Sequence, residues 1–100
     1  MNSKVDKLYD KINNDKKSII VFGLTYCIYC KKTLELLKKN KISYKYYSID
    51  KYFNVFFNVL SIVSKLYPNF QIDSKHKTVP VIFYKKKFVG GFSELSKLLN

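Results

Sequence analysis

The sequence predicts an α/β fold of the order α-β-α-β-α-β-β-α, in which helices flank a central mixed sheet of four strands. Short runs of β-branched and aromatic residues alternate with segments whose apolar residues recur at helical spacing. A helix separates the first two strands, and such a connection joins parallel strands. Only two residues separate the last two strands, which indicates an antiparallel hairpin. With 100 residues, the chain is expected to form one domain, 1–100.

The helices and the first strands have recognisable starts and stops. Residues 4–14 carry apolar side chains at positions i, i+3, i+4 and i+7, and Ser3 is expected to cap this helix. The second helix ends near Asn40, and Pro68 stops the long apolar third helix. The predicted helices are 4–14, 33–39, 52–66 and 94–99, and the predicted strands are 18–23, 44–49, 79–84 and 87–89.

Glycine, proline and serine punctuate the last third of the chain. Residues 69–77 are expected to form a loop, and Pro80 stands near the start of the third strand, where a proline is tolerated. Residues 85–86 form the tight turn of the hairpin. The glycine pair 90–91 then ends the fourth strand, and Ser93 is expected to cap the last helix.

The formal net charge of +12 comes from lysine alone, because the chain contains no arginine. The lysines are scattered from Lys4 to Lys97, and arginine is the usual reader of bases, so no nucleic-acid partner is expected. No apolar run approaches the roughly 18 residues that a membrane span needs, so no membrane partner is expected either. The polar first ten residues resemble neither a signal peptide nor a transit peptide, which predicts a cytoplasmic protein.

Two cysteines, Cys27 and Cys30, stand three positions apart where a strand leads into a helix. A thiol at that place faces the free N–H groups and the positive end of the helix dipole, which stabilise a thiolate. The thiolate is the species that attacks a disulfide. Cys30 lies almost one helical turn later, within reach of a mixed disulfide on Cys27. The spacing therefore predicts that Cys27 is the nucleophile and that Cys30 resolves the intermediate.

Two other interpretations of the cysteine pair are weaker. A zinc site needs four ligands, whereas the chain offers one cysteine pair and a single histidine, His76, so no metal is expected. Inert structural cysteines are seldom found at the start of a helix. The neighbours of His76, Lys75 and Lys77, indicate a solvated loop, and His76 is expected to play no part in catalysis.

Three sequence motifs together carry a resemblance to a known family. They are Phe22-Gly23 before Cys27-Ile28-Tyr29-Cys30, then Thr78-Val79-Pro80, then Gly90-Gly91-Phe92-Ser93-Glu94. In this order and with this spacing the chain resembles the glutaredoxin family over about residues 18–100. The resemblance implies a thioredoxin-like fold, glutathione as the reductant and a cis peptide bond before Pro80.

The resemblance also implies which residues hold glutathione. The backbone of the Thr-Val-Pro motif would pair with the tripeptide, the second glycine would let it approach closely, and the Ser-Glu pair would hold its γ-glutamyl end. These candidate residues are Tyr29, Thr78, Val79, Pro80, Gly91, Ser93 and Glu94. Simpler interpretations stay open for each of them: an edge-strand start for the proline, a plain turn for the glycines, a capped helix for Ser-Glu, and a core or surface aromatic for the tyrosine.

Four features depart from the family pattern: Ile28, Leu24, the bulky Tyr26, and a longer and more apolar stretch between Asp50 and Thr78. Ile28 stands where the family usually has proline, which would loosen the first helical turn. Leu24 stands where the family usually has lysine or arginine, three residues before the nucleophile. One anchor for the glycyl carboxylate of glutathione is therefore missing, and weaker glutathione binding is expected.

The resemblance implies a dithiol oxidoreductase of cell redox homeostasis and electron transport, which uses glutathione to reduce protein disulfides, glutathione mixed disulfides, or both. One alternative is a protein that binds a [2Fe–2S] cluster together with glutathione, as some relatives do. Another alternative is a thioredoxin-like protein disulfide reductase. The chain contains no tryptophan, which is common before the motif of that family, and its segment 90–94 favours glutaredoxin.

The predicted helix 52–66 is apolar around most of its circumference. Its polar residues form one narrow stripe, and the centre of the apolar arc is expected to pack on the sheet. That centre consists of Tyr52, Phe56, Val59 and Val63. Phe53 and Phe57 lie on one flank and are expected to contact a second copy of the chain or a protein partner, unless the following loop covers them.

Overall fold

The first strand of the chain lies inside the sheet and organises the other three strands around it. The computed structural model describes residues 3–100. The helices are α1 Ser3–Asn13, α2 Ile28–Lys39, α3 Phe53–Leu66 and α4 Phe92–Leu99, the strands are β1 Ile19–Gly23, β2 Tyr44–Ser48, β3 Val81–Tyr84 and β4 Lys87–Gly90, and short 3₁₀ turns cover Asp50–Tyr52 and Pro68–Phe70.

The strand order is β2-β1-β3-β4. β1 pairs with β2 in parallel, with Val21 opposite Tyr46, and with β3 antiparallel, with Val21 opposite Ile82. β3 and β4 pair antiparallel through the two-residue turn at 85–86. The predicted mixed four-stranded sheet of a thioredoxin-like fold is confirmed.

Alternate residues of β1 point to two separate hydrophobic layers, and every residue of the strand is buried. Ile20 and Phe22 face the layer formed with α1 and α3, where Phe56 packs against Phe22 with ring centroids 5.6 Å apart. Val21 faces the opposite layer with α2 and α4, where it shares a cluster with Leu37 and others. Because β1 needs cover on both faces, the helices divide into one pair per face.

Helix α3 buries three of the four residues that the sequence pattern places at the centre of the apolar arc, while Tyr52 lies in the 3₁₀ turn before the helix and is half-buried. Phe56 and Val63 are fully buried, and Val59 is 6% exposed. Phe53 is 42% exposed, while Phe57 is half-buried against the ring of Phe56. The contact of this flank with a partner stays a prediction. Within residues 3–100, no helix combines the length and the apolar character needed to cross a bilayer.

The start of the last helix differs from the prediction. Gly91, and not Ser93, is the N-cap of α4, and Ser93 lies inside the helix. The reason is the Glu94 carboxylate, which accepts a hydrogen bond from the Gly91 N–H over 2.8 Å. Gly91 has no side chain to complete a capping box, so only the bond to the acidic residue three positions after the cap is present. That spacing makes position 91 the cap and leaves Ser93 exposed.

Three smaller differences concern element boundaries. β3 begins at Val81, two residues later than predicted, because Val79 and Pro80 precede the paired segment. Ser3 is the first residue of α1 and not its cap. A 3₁₀ turn occupies the beginning of the segment that was expected to be loop.

Candidate active site

Cys27 caps the second helix with its own sulfur. β1 ends at Gly23, the three connecting residues 24–26 follow, and Cys27 has extended backbone angles of φ −149° and ψ 118° as the N-cap of α2. Its Sγ accepts a hydrogen bond from the Cys30 N–H over 3.2 Å. The sulfur is partly exposed, and both cysteines are free thiols. The sulfur therefore lies at the N–H groups and the positive end of the helix dipole of α2.

Cys30 has the opposite environment. It lies in the first turn of α2 and is 1% exposed. Burial raises the pKa of the Cys30 thiol to about 11, and the neighbouring Cys27 adds to this increase, while the nearby Leu24 N–H and Tyr46 hydroxyl act in the opposite direction. Cys30 therefore keeps its proton at neutral pH until a reaction on Cys27 demands its thiolate.

Asp50, which follows β2, holds the connection between β1 and α2 in place by hydrogen bonds. The Asp50 carboxylate accepts the Thr25 N–H over 2.9 Å and also the Thr25 hydroxyl. These bonds, the side-chain bond first, hold the pKa of Asp50 below its ordinary value, so the carboxylate stays ionised at neutral pH. The backbone N–H of Ile49 also donates to the Gly23 carbonyl over 2.8 Å. The approach of the chain to Cys27 is thus anchored to the end of β2.

Gly23, which belongs to the first sequence motif, and Tyr46, which the sequence did not point to, complete the floor beneath the cysteines. The Tyr46 hydroxyl donates to the Leu24 carbonyl over 2.7 Å. A Cβ on Gly23 would lie 2.5 Å from that hydroxyl oxygen and 2.7 Å from Cys30 Sγ. The signal that could have found Tyr46 is the alternation of β2, because the parallel register places Tyr46 on the face of β1 that α2 covers.

A cleft of ≈ 340 Å³ lies beside the start of α2. Its walls come from α2, from the segment before β3 and from the start of α4. They are formed by Tyr29, Thr78, Val79, Pro80, Gly91, Phe92 and Ser93. Six of the seven residues expected to hold glutathione therefore meet in one cleft, and the peptide bond before Pro80 is cis, as the resemblance implies. Phe92 is the addition, and its ring lies 5.9 Å from that of Tyr29.

The seventh candidate, Glu94, lies behind the cleft. Its carboxylate accepts the Gly91 N–H over 2.8 Å and the Ser93 hydroxyl over 3.0 Å. These two bonds hold the pKa of Glu94 below its ordinary value. Glu94 thus orients two residues of the cleft wall in the absence of a ligand. Cys27 does not line the cleft, although Tyr29, two residues later, does.

The remaining sequence predictions concern residues around the site. Leu24 packs partly against the α1–α3 layer, and Ile28 is 72% exposed. His76 lies in a loop between the exposed Lys75 and Lys77, as predicted, but its own side chain is half-buried, with Nε2 3.3 Å from the Pro80 carbonyl oxygen and its ring 5.3 Å from that of Phe88. That it plays no part in catalysis stays a prediction. Lys77 is exposed and does not line the cleft.

Metal ligands are not clustered in the described part of the chain. No group of three or more His, Cys, Asp or Glu side chains within residues 3–100 is placed to hold a metal ion. The absence of a resident metal stays a prediction, because a cluster shared with glutathione would not need such a group.

The mixed sheet, the two helix layers and the dithiol at the start of α2 define a member of the thioredoxin-like class. The model of the glutaredoxin family matches residues 19–89, and the chain belongs to that family. It is 34% identical over 80 residues to glutaredoxin-2 of Schizosaccharomyces pombe, an alignment covering 80% of this chain and 66% of the relative. Membership of this family implies thiol–disulfide oxidoreductase chemistry.

Solved structures show the same architecture. The dithiolic glutaredoxin of Trypanosoma brucei brucei is 28% identical, with a TM-score of 0.65 over 98% of this chain and 87% of its own. The buckwheat glutaredoxin–glutathione complex is 20% identical, with a TM-score of 0.70 over 95% of this chain and 77% of its own. At that identity the buckwheat protein supports the fold alone.

The contact geometry around Gly23 predicts that this position does not tolerate a side chain. Gly23→Ala would force the Tyr46 ring and Cys30 Sγ apart, because its Cβ would lie 2.5 Å and 2.7 Å from their atoms. Overpacking of this kind costs about 1–3 kcal/mol. Urea unfolding should therefore show a lower midpoint with an unchanged slope.

Gly91→Ala is the matched control for that substitution. Its Cβ would have no neighbour closer than the His76 Cε1 at 3.2 Å, and the backbone of Gly91 does not require a glycine. The control should unfold close to wild type. Equal losses in both variants would contradict the close approach beneath Cys30.

Proposed function

We propose that this protein is a glutathione-dependent oxidoreductase that reduces protein disulfides, glutathione mixed disulfides, or both. The observation that carries the proposal is the unequal placement of the two sulfurs. Cys27 is partly exposed at the N-terminus of α2, whereas Cys30 is 1% exposed one turn below it. An exposed stabilised thiolate and a protonated thiol beneath it are what a two-step exchange requires.

In the first step, the Cys27 thiolate attacks one sulfur of the substrate disulfide. A bond forms between Cys27 Sγ and that sulfur, the substrate S–S bond breaks, and the other substrate sulfur leaves as a thiolate. The hydrogen bond from the Cys30 N–H holds Cys27 Sγ at the start of α2. No base is needed, because the helix terminus already favours the thiolate.

In the second step, Cys30 loses its proton and attacks Cys27 Sγ in the mixed disulfide. The Cys27–Cys30 disulfide forms, and the remaining substrate thiolate leaves and takes up a proton. Two protein thiols are oxidised and one substrate disulfide is reduced to two thiols, so the electrons balance. Two molecules of glutathione would then reduce the Cys27–Cys30 disulfide and leave as oxidised glutathione.

The cleft beside α2 supports glutathione as the reductant. Val79 precedes β3, and within residues 3–100 its backbone has no hydrogen-bond partner, so it is available to an extended peptide. The N-terminus of α4 lies at the other side of the cleft, where its free N–H groups would receive a carboxylate, and the Ser93 hydroxyl would join them by turning away from Glu94. A structural neighbour from buckwheat is a glutaredoxin–glutathione complex, which agrees with this assignment.

The glycyl carboxylate of glutathione would have no basic partner at position 24, because Leu24 stands where the family usually has lysine or arginine. Leu24 packs partly against the core, and the exposed Lys77 follows directly after His76 without lining the cleft. We therefore propose that glutathione binds through the γ-glutamyl end and the backbone of Val79, with a weak hold on the glycyl end.

The roles of the two cysteines are tested by serine substitution. Cys27→Ser should abolish exchange with every disulfide, because the attacking sulfur is lost. Cys30→Ser should keep the turnover of glutathione mixed disulfides, which needs one thiol, and lose the dithiol reduction of protein disulfides. Both variants are assayed with a glutathionylated peptide and with a disulfide-bonded protein. If Cys30→Ser is as inactive as Cys27→Ser towards the glutathionylated peptide, the assignment is wrong.

The hold on glutathione is tested by restoring the basic residue. A charge-assisted bond contributes about 1.5–3 kcal/mol, so Leu24→Lys should lower the KM for glutathione by roughly 10- to 100-fold. Leu66→Lys, at a residue that is 58% exposed outside the cleft, adds the same charge as a control and should leave the KM unchanged.

Lys77→Ala reports whether Lys77 already holds the glycyl carboxylate. The proposal expects little change in the KM for glutathione from this substitution. An unchanged KM in Leu24→Lys, together with a raised KM in Lys77→Ala, would show that the carboxylate is already bound.

A further inference from the structure

We propose that the Tyr46 hydroxyl donates a hydrogen bond to the Cys30 sulfur as that sulfur becomes a thiolate, and thereby sets the rate of the resolving step. The inference rests on the dithiol function proposed above and assigns a role to a residue outside the three family-like motifs. It starts from one juxtaposition: the hydroxyl of a β2 tyrosine and the buried sulfur of α2 converge on the empty side-chain position of Gly23.

The convergence is close. The Cβ position of Gly23 lies 2.5 Å from the Tyr46 hydroxyl oxygen and 2.7 Å from Cys30 Sγ, so both atoms border the same small space. Any side chain at Gly23 would separate them. The Leu24 N–H also lowers the pKa of Cys30, so a thiolate there would face two donors, one from the backbone and one from Tyr46.

The Tyr46 hydroxyl is available as a donor throughout the working pH range. It is half-buried, and burial, followed by the proximity of Cys30, raises the pKa of Tyr46 well above its ordinary value. The titratable groups that face this space are Cys30 and Cys27 from α2 and Asp50 from the segment after β2. All three disfavour a phenolate, so the phenol keeps its proton.

While Cys30 is a protonated thiol, the Tyr46 hydroxyl donates to a different acceptor. In the structure it donates to the Leu24 carbonyl over 2.7 Å. Because the hydroxyl oxygen and Cys30 Sγ both lie within 2.7 Å of the Gly23 Cβ position, turning the O–H about its C–O bond would point the proton towards that sulfur. Because a hydrogen bond to an ionised acceptor is roughly twice as strong as a neutral one, the exchange becomes favourable once the sulfur is charged.

The step balances without a new reactant. The Cys30 proton leaves to the departing substrate thiolate or to water, the Cys30 sulfur forms the bond to Cys27 Sγ, and the substrate sulfur carries away the electron pair of the broken bond. Tyr46 keeps its own proton and changes only the acceptor of its hydrogen bond.

Tyr47 provides a matched control one residue further along β2. Its ring faces the opposite layer, where it stacks on Phe22 with centroids 5.6 Å apart. Tyr47→Phe removes the same hydroxyl group from the same strand, on the face away from Cys30. Tyr46→Phe removes only the oxygen that borders Cys30 Sγ.

The experiment follows one turnover of the full-length reduced protein with a substoichiometric amount of dithiobis(nitrobenzoate). Attack by Cys27 releases the first coloured thiolate, and attack by Cys30 on the mixed disulfide releases the second, so the two phases report the two sulfurs separately. Loss of a bond to the thiolate lowers the thiolate fraction, and the greater nucleophilicity of the more basic sulfur restores part of the rate. Tyr46→Phe should slow the second phase by roughly 3- to 10-fold and leave the first phase within about twofold.

A titration separates a hydrogen bond from a merely structural effect. In a Cys27→Ser background, the ¹³Cβ signal of labelled Cys30 reports its ionisation. Tyr46→Phe should move the midpoint upward by roughly one to two pH units, whereas Tyr47→Phe should not move it. A slower second phase with an unmoved midpoint would overturn the proposal, and so would equal slowing by Tyr47→Phe.

Two further outcomes keep the proposal distinct from the proposed function. A wild type with two phases, matched by Tyr46→Phe in both, would overturn this inference alone. A wild type that lacks the second phase would overturn the dithiol function and this inference together. Fluorotyrosine at position 46 keeps the ring and strengthens the donor, so it should give a second phase at least as fast as wild type, and a slower one would contradict the proposal.

Discussion

The hydrogen bond from the Cys30 N–H to Cys27 Sγ is the contact on which the site depends. It makes a sulfur the N-cap of α2 and gives it the position of a capping oxygen. Because a cap residue lies at the edge of the helix, Cys27 stays accessible to a substrate. Because the donor belongs to the residue three positions later, the second sulfur is carried into the first turn and beneath the first.

The central strand sets the depth at which this contact sits. β1 is buried along its whole length and ends at Gly23. The chain therefore leaves the sheet at the C-terminal end of this inner strand and enters α2 after a short connection. Asp50 holds Thr25 of the connecting segment against the end of β2. Cys30 consequently lands on the floor beside Tyr46, where burial raises the pKa of its thiol to about 11. The nucleophile and the resolver thus differ through position, not through residue type.

Much of this could be predicted from the sequence, because the informative signals are local. The spacing of the cysteines and the punctuation by Pro80 and the glycine pair located the helix start and the cleft wall. Ser93 was predicted to cap α4 because serine is a common cap. The cap is Gly91, because its N–H donates to the Glu94 carboxylate. Tyr46 and the burial of His76 were missed, since both depend on contacts between segments far apart in the chain.

The unequal reactivity of the two thiols tests the account most directly. Reduced, folded wild-type protein is treated with a limiting amount of iodoacetamide at neutral pH, and the modified sulfur is located by fragmenting the peptide that contains Cys27 and Cys30. The account predicts that Cys27 is alkylated at least about tenfold faster than Cys30, and that the difference disappears in denaturant. Equal rates in the folded protein, or faster modification of Cys30, would contradict it.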